Sequence, residues 1–487
     1  CPTGTMAEQL ADDISRFVDP DDVALFPAWE TLPFERVSPS VETMGRRLRV
    51  LWRLRDPDRT PKIIVAGVRA LLQKLGPRAT AIDPIVVAPG ATLDVDDVVA
   101  RLVEFGYRRE ELVEHRGEFS QRGSIIDVYP ATADAPIRID LWGDEVDRLT
   151  RFRVVDQRST DDLDDVMVFP ARELVPTESV RSRAERLVES EPWGREQWER
   201  LAEGAHFDGM ESWLPWLVDD DVLLTDVLPD DSKVLLIEPR RMRDRAVDLI
   251  AEEDDLARTL ASTWARDPDR SFPRLHADPD TLLTSSGSFW SMDSTPDSPD
   301  TPTVEASGWG PVAGDGAGLT ARLAHLIGDG YRVVVAADGE GSATRLHDLL
   351  LDHGLDFPVR PGGDDIPPGG SIVVAPLHRG CTVPKARVAV VAESDLTGRR
   401  RAHRRARPQR REGTGTFEDL AAGNHVVHHQ HGVGRYEGMV KRTIGGVERD
   451  YLLLAYKGGD KLYVPSDQID TLRQYVGGEA PKLHKLG

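Results

Sequence analysis

Two strand-to-turn segments carry residue types in the order that phosphate chemistry would use. Val333 to Arg345 reads VVVAADGEGSATR, a strand, then glycines, then a helix. A turn that cradles ATP phosphates and Mg²⁺ in the P-loop manner needs G-x-x-x-x-G-K-[ST], and no such loop occurs in the chain. The lysine is missing, and acidic residues stand where phosphate would sit. The segment reads as an ordinary βα turn, or as a nucleotide fold that has lost its ligand. Val390-Val391-Ala392-Glu393-Ser394-Asp395 places carboxylates after a strand, as a Mg²⁺ position would, but stands alone. His425, His428, His429 and His431 invite a metal reading. No carboxylate ladder or second cluster completes it, so turn and surface histidines are preferred. Gly117, Ser120 and Ser124 sit in no nucleophile-elbow context. No catalytic, cofactor or metal residue is therefore assigned.

A more informative polar set is Arg122, Arg138 and Trp142. Arg122 precedes the strand-like Gly123–Tyr129, and Arg138, Asp140 and Trp142 share one face of the next strand. Two arginines beside an exposed aromatic have the composition of an interface hot spot. The alternative is an arginine paired to Glu145 or Asp147 with Trp142 in the core, and residue chemistry alone leaves both open. Gly398 to Arg411 (GRRRAHRRARPQRR) holds eight arginines. It reads as a solvated linker, with a phosphate-contacting strap as the alternative. Nothing nearby supplies base-reading residues.

The elements that must position these residues alternate between two textures. Over 1–85, helices (Ala7–Phe17, Thr43–Leu54, Val68–Leu75) alternate with strands (Asp22–Phe26, Lys62–Ala66), which predicts α/β with a mainly parallel sheet. Over 86–170 a helix, Asp94–Phe105, precedes strands expected at Glu111–Glu114, Gly123–Tyr129, Ile137–Trp142 and Val146–Val155, a compact α+β insertion. Helices return over 171–285 with Trp193, Trp198, Trp213 and Trp216, read as core residues. Strands expected at Val222–Leu224 and Lys233–Ile237 resemble the missing strands of the first sheet, so the insertion interrupts one discontinuous domain. Residues 286–316 read as a linker, 317–397 as a small α/β domain, and 398–413 as the arginine-rich linker. Over 414–487, Gly-rich turns at Gly445-Gly446 and Gly458-Gly459-Asp460 separate short strands. They predict a small, bent, SH3/Tudor-like β-barrel that offers strand edges to another protein.

At 487 residues the chain holds several domains, and a formal net charge of −22 argues against wrapping DNA over most of its surface. Only Cys1 and Cys381 occur, which excludes a disulfide framework. No apolar run approaches the roughly 20 residues a membrane span needs, and no signal peptide is present, so a cytoplasmic location is expected. Residue 1 is Cys and opens inside a βα unit, so the chain reads as a fragment or as lacking its N-terminus.

HRGEFSQRGSIIDVYP (115–130), with IRIDLWGDEVD (137–147), resembles the UvrA-binding segment of the repair helicase UvrB. It is closer still to that of the bacterial transcription-repair coupling factor (Mfd) family. The opening with Phe26–Pro33 (FPAWETLP) is similar to that family, as is the C-terminal barrel, which looks like its CarD-like RNA-polymerase-interacting domain. The resemblance covers most of the chain in order.

It implies a helicase-like first domain with a degenerate nucleotide site. It implies UvrA contacts by Arg122, Arg138 and Trp142, with Trp where a Phe is often found. It further implies docking on the RNA polymerase β subunit through the strand Val440, Lys441, Arg442, Thr443 and Ile444, with Arg442 where an apolar residue is common. The family continues into an ATP-driven DNA translocase, and this chain stops at Gly487 before those motifs. ATP, Mg²⁺ and most DNA contact would then belong to that absent motor. The expected function is the recruiting and regulatory half of such a factor. The competing readings are a UvrB-like ATP-dependent helicase and a DNA-binding repair protein acting through the arginine strap.

Overall fold

A computed structural model describes residues 1–31, 37–77, 79–218, 222–264, 272–280, 289–293, 295, 298–309, 316–362, 367–397, 425–428, 432–444, 447–457, 461–465 and 472–474. The chain divides into two compact units, Cys1–His403 and Arg404–Gly487.

The first unit opens with helix α1 (Gly4–Ile14), whose Thr3 hydroxyl accepts from Met6 N. Strand β1 (Val23–Phe26), helix α2 (Val41–Arg53), strand β2 (Ile63–Ala66) and the short helix α3 (Val68–Leu72) follow. β1 and β2 pair in parallel, Val23 opposite Ile63. Ser40 caps α2 by accepting from Thr43 N, and Glu30 holds the cap by accepting from the Ser40 hydroxyl. Phe26, Leu48 and Leu51 then close on Phe169 and Leu224 in one core.

The insertion leaves and returns through a two-stranded neck, β3 (Ile85–Val87) antiparallel to β10 (Val166–Val168). Between them lie α4 (Val95–Glu104), capped by the Asp94 carboxylate, and a six-stranded sheet in sequential order. Its strands are β4 (Arg108–Arg109), β5 (Glu118–Arg122), β6 (Ile125–Val128), β7 (Ile137–Trp142), β8 (Glu145–Phe152) and β9 (Ser159–Asp162). Ile137, Ile139 and Leu141 alternate into a core with Phe119, Ile126, Leu149 and α4. That period-two pattern turns the intervening residues to the opposite face. The strand expected at Glu111–Glu114 does not form. The Glu118 carboxylate accepts from Glu114 N and His115 N, and this bends the chain into β5 instead.

Helices α5 (Glu178–Ser190), α6 (Arg195–Ala202) and α7 (Leu214–Leu217) enclose the tryptophans. Trp198, Trp213 and Trp216 are buried, Trp193 packs against them, and the Trp198 and Trp213 rings lie 4.8 Å apart. The strand expected at Val222–Leu224 is replaced by a 3₁₀ turn over Leu224–Val227, because the Asp226 carboxylate accepts from Leu223 N. β11 (Val234–Ile237) precedes α8 (Pro239–Trp264) and pairs in parallel with β12 (Phe289–Met292). The expected parallel sheet is thus described as two parallel pairs, although Ile237 packs on the Ala7 and Val65 cluster beneath α1 and β2.

The span expected as a linker, 286–316, is partly structured. β12 adds to β11, and β13 (Ser307–Gly308) pairs with β17 (Cys381–Val383). Trp309 donates to Val390 O and packs on the next core. That core belongs to a sheet of order β13-β17-β18-β14-β16-β15. Its other strands are β14 (Arg332–Ala337), β15 (Val359–Arg360), β16 (Gly369–Val374) and β18 (Val388–Ala392), with helices Gly316–Gly328 and Glu340–Asp352.

The second unit is an antiparallel sheet of β19 (His425–His428), β20 (Gly432–Ile444), β21 (Val447–Ala455), β22 (Lys461–Pro465) and β23 (Leu472–Gln474). The order is β22-β21-β20-β19-β23, and Val426, Tyr436, Leu452, Leu454 and Val464 form the core. A bulge between Tyr436 and Gly438 bends β20, and Gly438 has a φ of 120°, which favours glycine. β22 and β23 do not pair with each other among the described residues, so the sheet is described open rather than as a closed barrel.

Candidate docking face

Two tight hairpins place the three candidate residues of the insertion. Arg122 pairs with Ile125 across Gly123-Ser124, and Trp142 pairs with Glu145 across Gly143-Asp144. Both glycines have positive φ, as two-residue turns of this kind demand. Ile125 lies opposite Asp140, and Leu141 N donates to Ser124 O. These pairings bring Arg122 and Trp142 to the same end of the sheet.

Trp142 is 82% exposed, so it is no core residue. Nor are the arginines paired to Glu145 or Asp147. Their common partner is Asp127 on β6, which lies directly opposite Arg138 and whose side chain is only 1% exposed. Arg138 Nε donates to Asp127 Oδ1 at 2.7 Å and Nη2 donates to Oδ2 at 2.9 Å, a bidentate clamp. Arg122 Nη2 donates to the same Oδ2 at 2.7 Å. Arg138 is further held by Nη1 donating to Gln157 O at 3.2 Å and by the Phe152 ring, 4.9 Å away. Gln157 has a φ of 57°, and that left-handed conformation turns its carbonyl to the guanidinium. The hydrogen bonds that Arg138 donates to Asp127 raise its pKa, so its charge is permanent. Asp140 lies on the same face, and its carboxyl is pushed up by partial burial against the opposing pull of Arg138.

The three residues therefore differ in what they offer. Arg138 has a 16% exposed side chain and spends its donors inside the sheet, whereas Arg122 is 48% exposed with one bond to Asp127. Sequence reasoning missed Asp127. The available signal was its position two residues beyond Ile125, which puts it on the face of Ile125 and Arg122.

The turns read as possible phosphate or Mg²⁺ positions converge where the strand order of the small sheet reverses, between β16 and β18 on either side of β14. Their carboxylates hold backbone. Glu393 accepts from Asp338 N at 2.9 Å, and Asp395 Oδ2 accepts from Gly380 N at 2.7 Å and Ala392 N at 3.0 Å. The Ser394 hydroxyl donates to His378 O, and His378 N donates to Asp13 of α1.

In the second unit Val440, Lys441, Arg442, Thr443 and Ile444 pair with Tyr451, Asp450, Arg449, Glu448 and Val447. β19 reaches β20 only between Gly432 and Arg435, so 440–444 is paired on one side among the described residues. Lys441 is exposed, and the neighbouring Met439, which sequence reasoning did not single out, is 57% exposed. The side chains of Arg442, Thr443 and Ile444 lie outside the description, as do His429, His431, both Gly-rich turns and the arginine-rich 398–413. Among the described residues no group of three or more His, Cys, Asp or Glu could hold a metal ion. Among them, too, no helix is long and apolar enough to cross a membrane.

Comparison with known proteins identifies both regions. Residues 85–174 match the UvrB interaction domain and residues 420–476 match the CarD-like/TRCF RID domain. The chain is 36% identical, over its whole length, to the transcription-repair-coupling factors of Mycobacterium bovis and Mycobacterium tuberculosis. It is 28% identical over 99% of its length to that of Bacillus subtilis. In each case it spans 43% of the relative. Domain matches and end-to-end similarity agree with the resemblance read from the sequence: over its whole length the chain is similar to a part of transcription-repair-coupling factors.

Proposed function

We propose that this chain is the recruiting and regulatory part of a transcription-repair coupling factor. In the cytoplasm it binds stalled RNA polymerase through its C-terminal unit and brings the UvrA repair machinery to the lesion through the insertion. The observation that carries the reading is Trp142, four-fifths exposed beside the half-exposed Arg122 on the domain that matches the UvrB interaction model. A large exposed aromatic next to an arginine is the composition of a binding anchor. For the polymerase β subunit, the strand 440–444, paired on one side among the described residues, would provide an edge on which a partner can add backbone hydrogen bonds. No catalysis is assigned to this chain. ATP, Mg²⁺ and most of the DNA contact are assigned to the remainder of the full-length factor.

The test is a binding measurement on the chain as it stands. Trp142→Ala should weaken UvrA binding, and removal of 414–487 should abolish polymerase binding while leaving UvrA binding intact. Unchanged affinities in both variants overturn the proposal. A nucleotide-driven helicase reading would instead require Mg-ATP to stabilise the chain, by about 2.7 kcal/mol at 100 times Kd.

A further inference from the structure

We infer that Asp127 is the positioning residue of this docking face. It acts through Arg122, and Arg138 serves as its internal counterweight rather than as a contact. The inference rests on the reading of the face as the UvrA-binding surface.

A buried carboxylate has two oxygens and accepts several hydrogen bonds, but a single guanidinium can take both oxygens bidentately. Arg138 does so, with Nε on Oδ1 and Nη2 on Oδ2, and Arg122 is left with a single bond from Nη2 to Oδ2. One bond fixes the direction of the Arg122 fork without consuming it. The rest of a half-exposed guanidinium faces outward at the sheet end that Trp142 also occupies. Without Arg138, both Asp127 oxygens would be available to Arg122, whose fork would turn inward into a bidentate pair. Without the Asp127 charge, two neighbouring guanidinium groups would repel across the face. In either case Arg122 leaves the orientation it now has.

This arrangement specifies the partner patch chemically. It should present a carboxylate to the outward edge of Arg122 and an apolar pocket to the indole of Trp142. A second cationic group opposite Arg122 would be rejected.

The experiment is a double-mutant cycle on UvrA affinity, with Asp127→Asn and Arg122→Ala alone and combined. Asp127→Asn should weaken binding by about tenfold, the scale of a misplaced charge-assisted hydrogen bond. It should add nothing in the Arg122→Ala background, because a residue acting through another is non-additive with it. A purely structural Asp127 would give additive losses, which overturns the inference, as does an Asp127→Asn variant that binds normally. Arg138→Lys tests the same relay without neutralising the buried carboxylate, should Asp127→Asn fail to fold. Its loss should also vanish in the Arg122→Ala background, and a loss that persists there means Arg138 itself touches the partner and overturns the inference. Trp142→Ala separates the two levels. If it leaves affinity unchanged, the docking reading itself fails. If it weakens binding while Asp127→Asn does not, only this inference fails.

Discussion

Arg47 Nε lies 2.8 Å from Glu173 Oε2 with both side chains wholly buried, and this ion pair ties α2, before the insertion, to the chain just after it. Trp29 Nε1 donates to the same Oε2 at 2.7 Å, and Arg47 Nη1 donates to Pro27 O at 2.9 Å. The network therefore also fastens Pro27 and Trp29. Removing one partner leaves the other charge buried without compensation, at a cost of about 3–5 kcal/mol. Arg47→Met or Glu173→Gln should each lower the denaturant midpoint accordingly. A loss below about 1 kcal/mol would show that water reaches the pair.

Leu141 and Trp142 are adjacent but lie on opposite faces, one in the core and the other in solvent. Leu141→Ala should cost about 2–5 kcal/mol by opening a cavity. Trp142→Ala should change stability by no more than about 0.5 kcal/mol. Paired thermal melts check this, and equal losses would mean that the indole packs on the sheet.

That contrast shows what was legible in the chain. Alternation alone placed Arg138, Asp140 and Trp142 on one face, but not whether that face met water. The structure settles it residue by residue: Ile137, Ile139 and Leu141 join the core, and on the other face Trp142 is exposed while Asp127 and Phe152 are buried. Asp127 escaped notice because its partners come from two other strands and are set by the registers of two hairpins. β12 escaped because Phe289–Met292 lies in Ser- and Pro-rich sequence and gains order only by pairing with β11. The Trp193, Trp198, Trp213 and Trp216 cluster was legible because large aromatics such as Trp are highly buried on average.

His276 is buried with Nδ1 2.8 Å from Glu253 Oε2. Burial lowers its pKa below the usual value, against the opposing pull of Glu253. Between the folded and unfolded values the unfolded chain holds the extra proton. The stability this provides is therefore complete above about pH 6.5 and is lost as pH falls through the lower, folded value. Glu211, whose carboxyl burial holds above the usual range, acts with the opposite sign. The measurement is thus a difference: the thermal midpoint from pH 7.5 down to 5 for the native chain and for His276→Asn, which keeps a donor but cannot charge. The native chain should lose more on acidification, and parallel curves would remove His276 from the acid limb.

Asp395 sits where a Mg²⁺ carboxylate would stand after a strand, yet its Oδ2 accepts from Gly380 N and Ala392 N and so staples the loop before β17 to the end of β18. A Cβ at Gly380 would come within 2.1 Å of Val390 O and 2.8 Å of Asp395 Oδ2, so the loop approaches as closely as glycine permits. Asp395→Ala leaves two backbone donors without their acceptor and should cost about 1–3 kcal/mol for each that stays buried. Hydrogen exchange should then accelerate in β17 and β18 while β5–β8 keep their protection. Addition of Mg-ATP should leave the exchange of native chain and variant unchanged. Protection that rises with Mg-ATP in the native chain and not in Asp395→Ala would return this carboxylate to nucleotide chemistry.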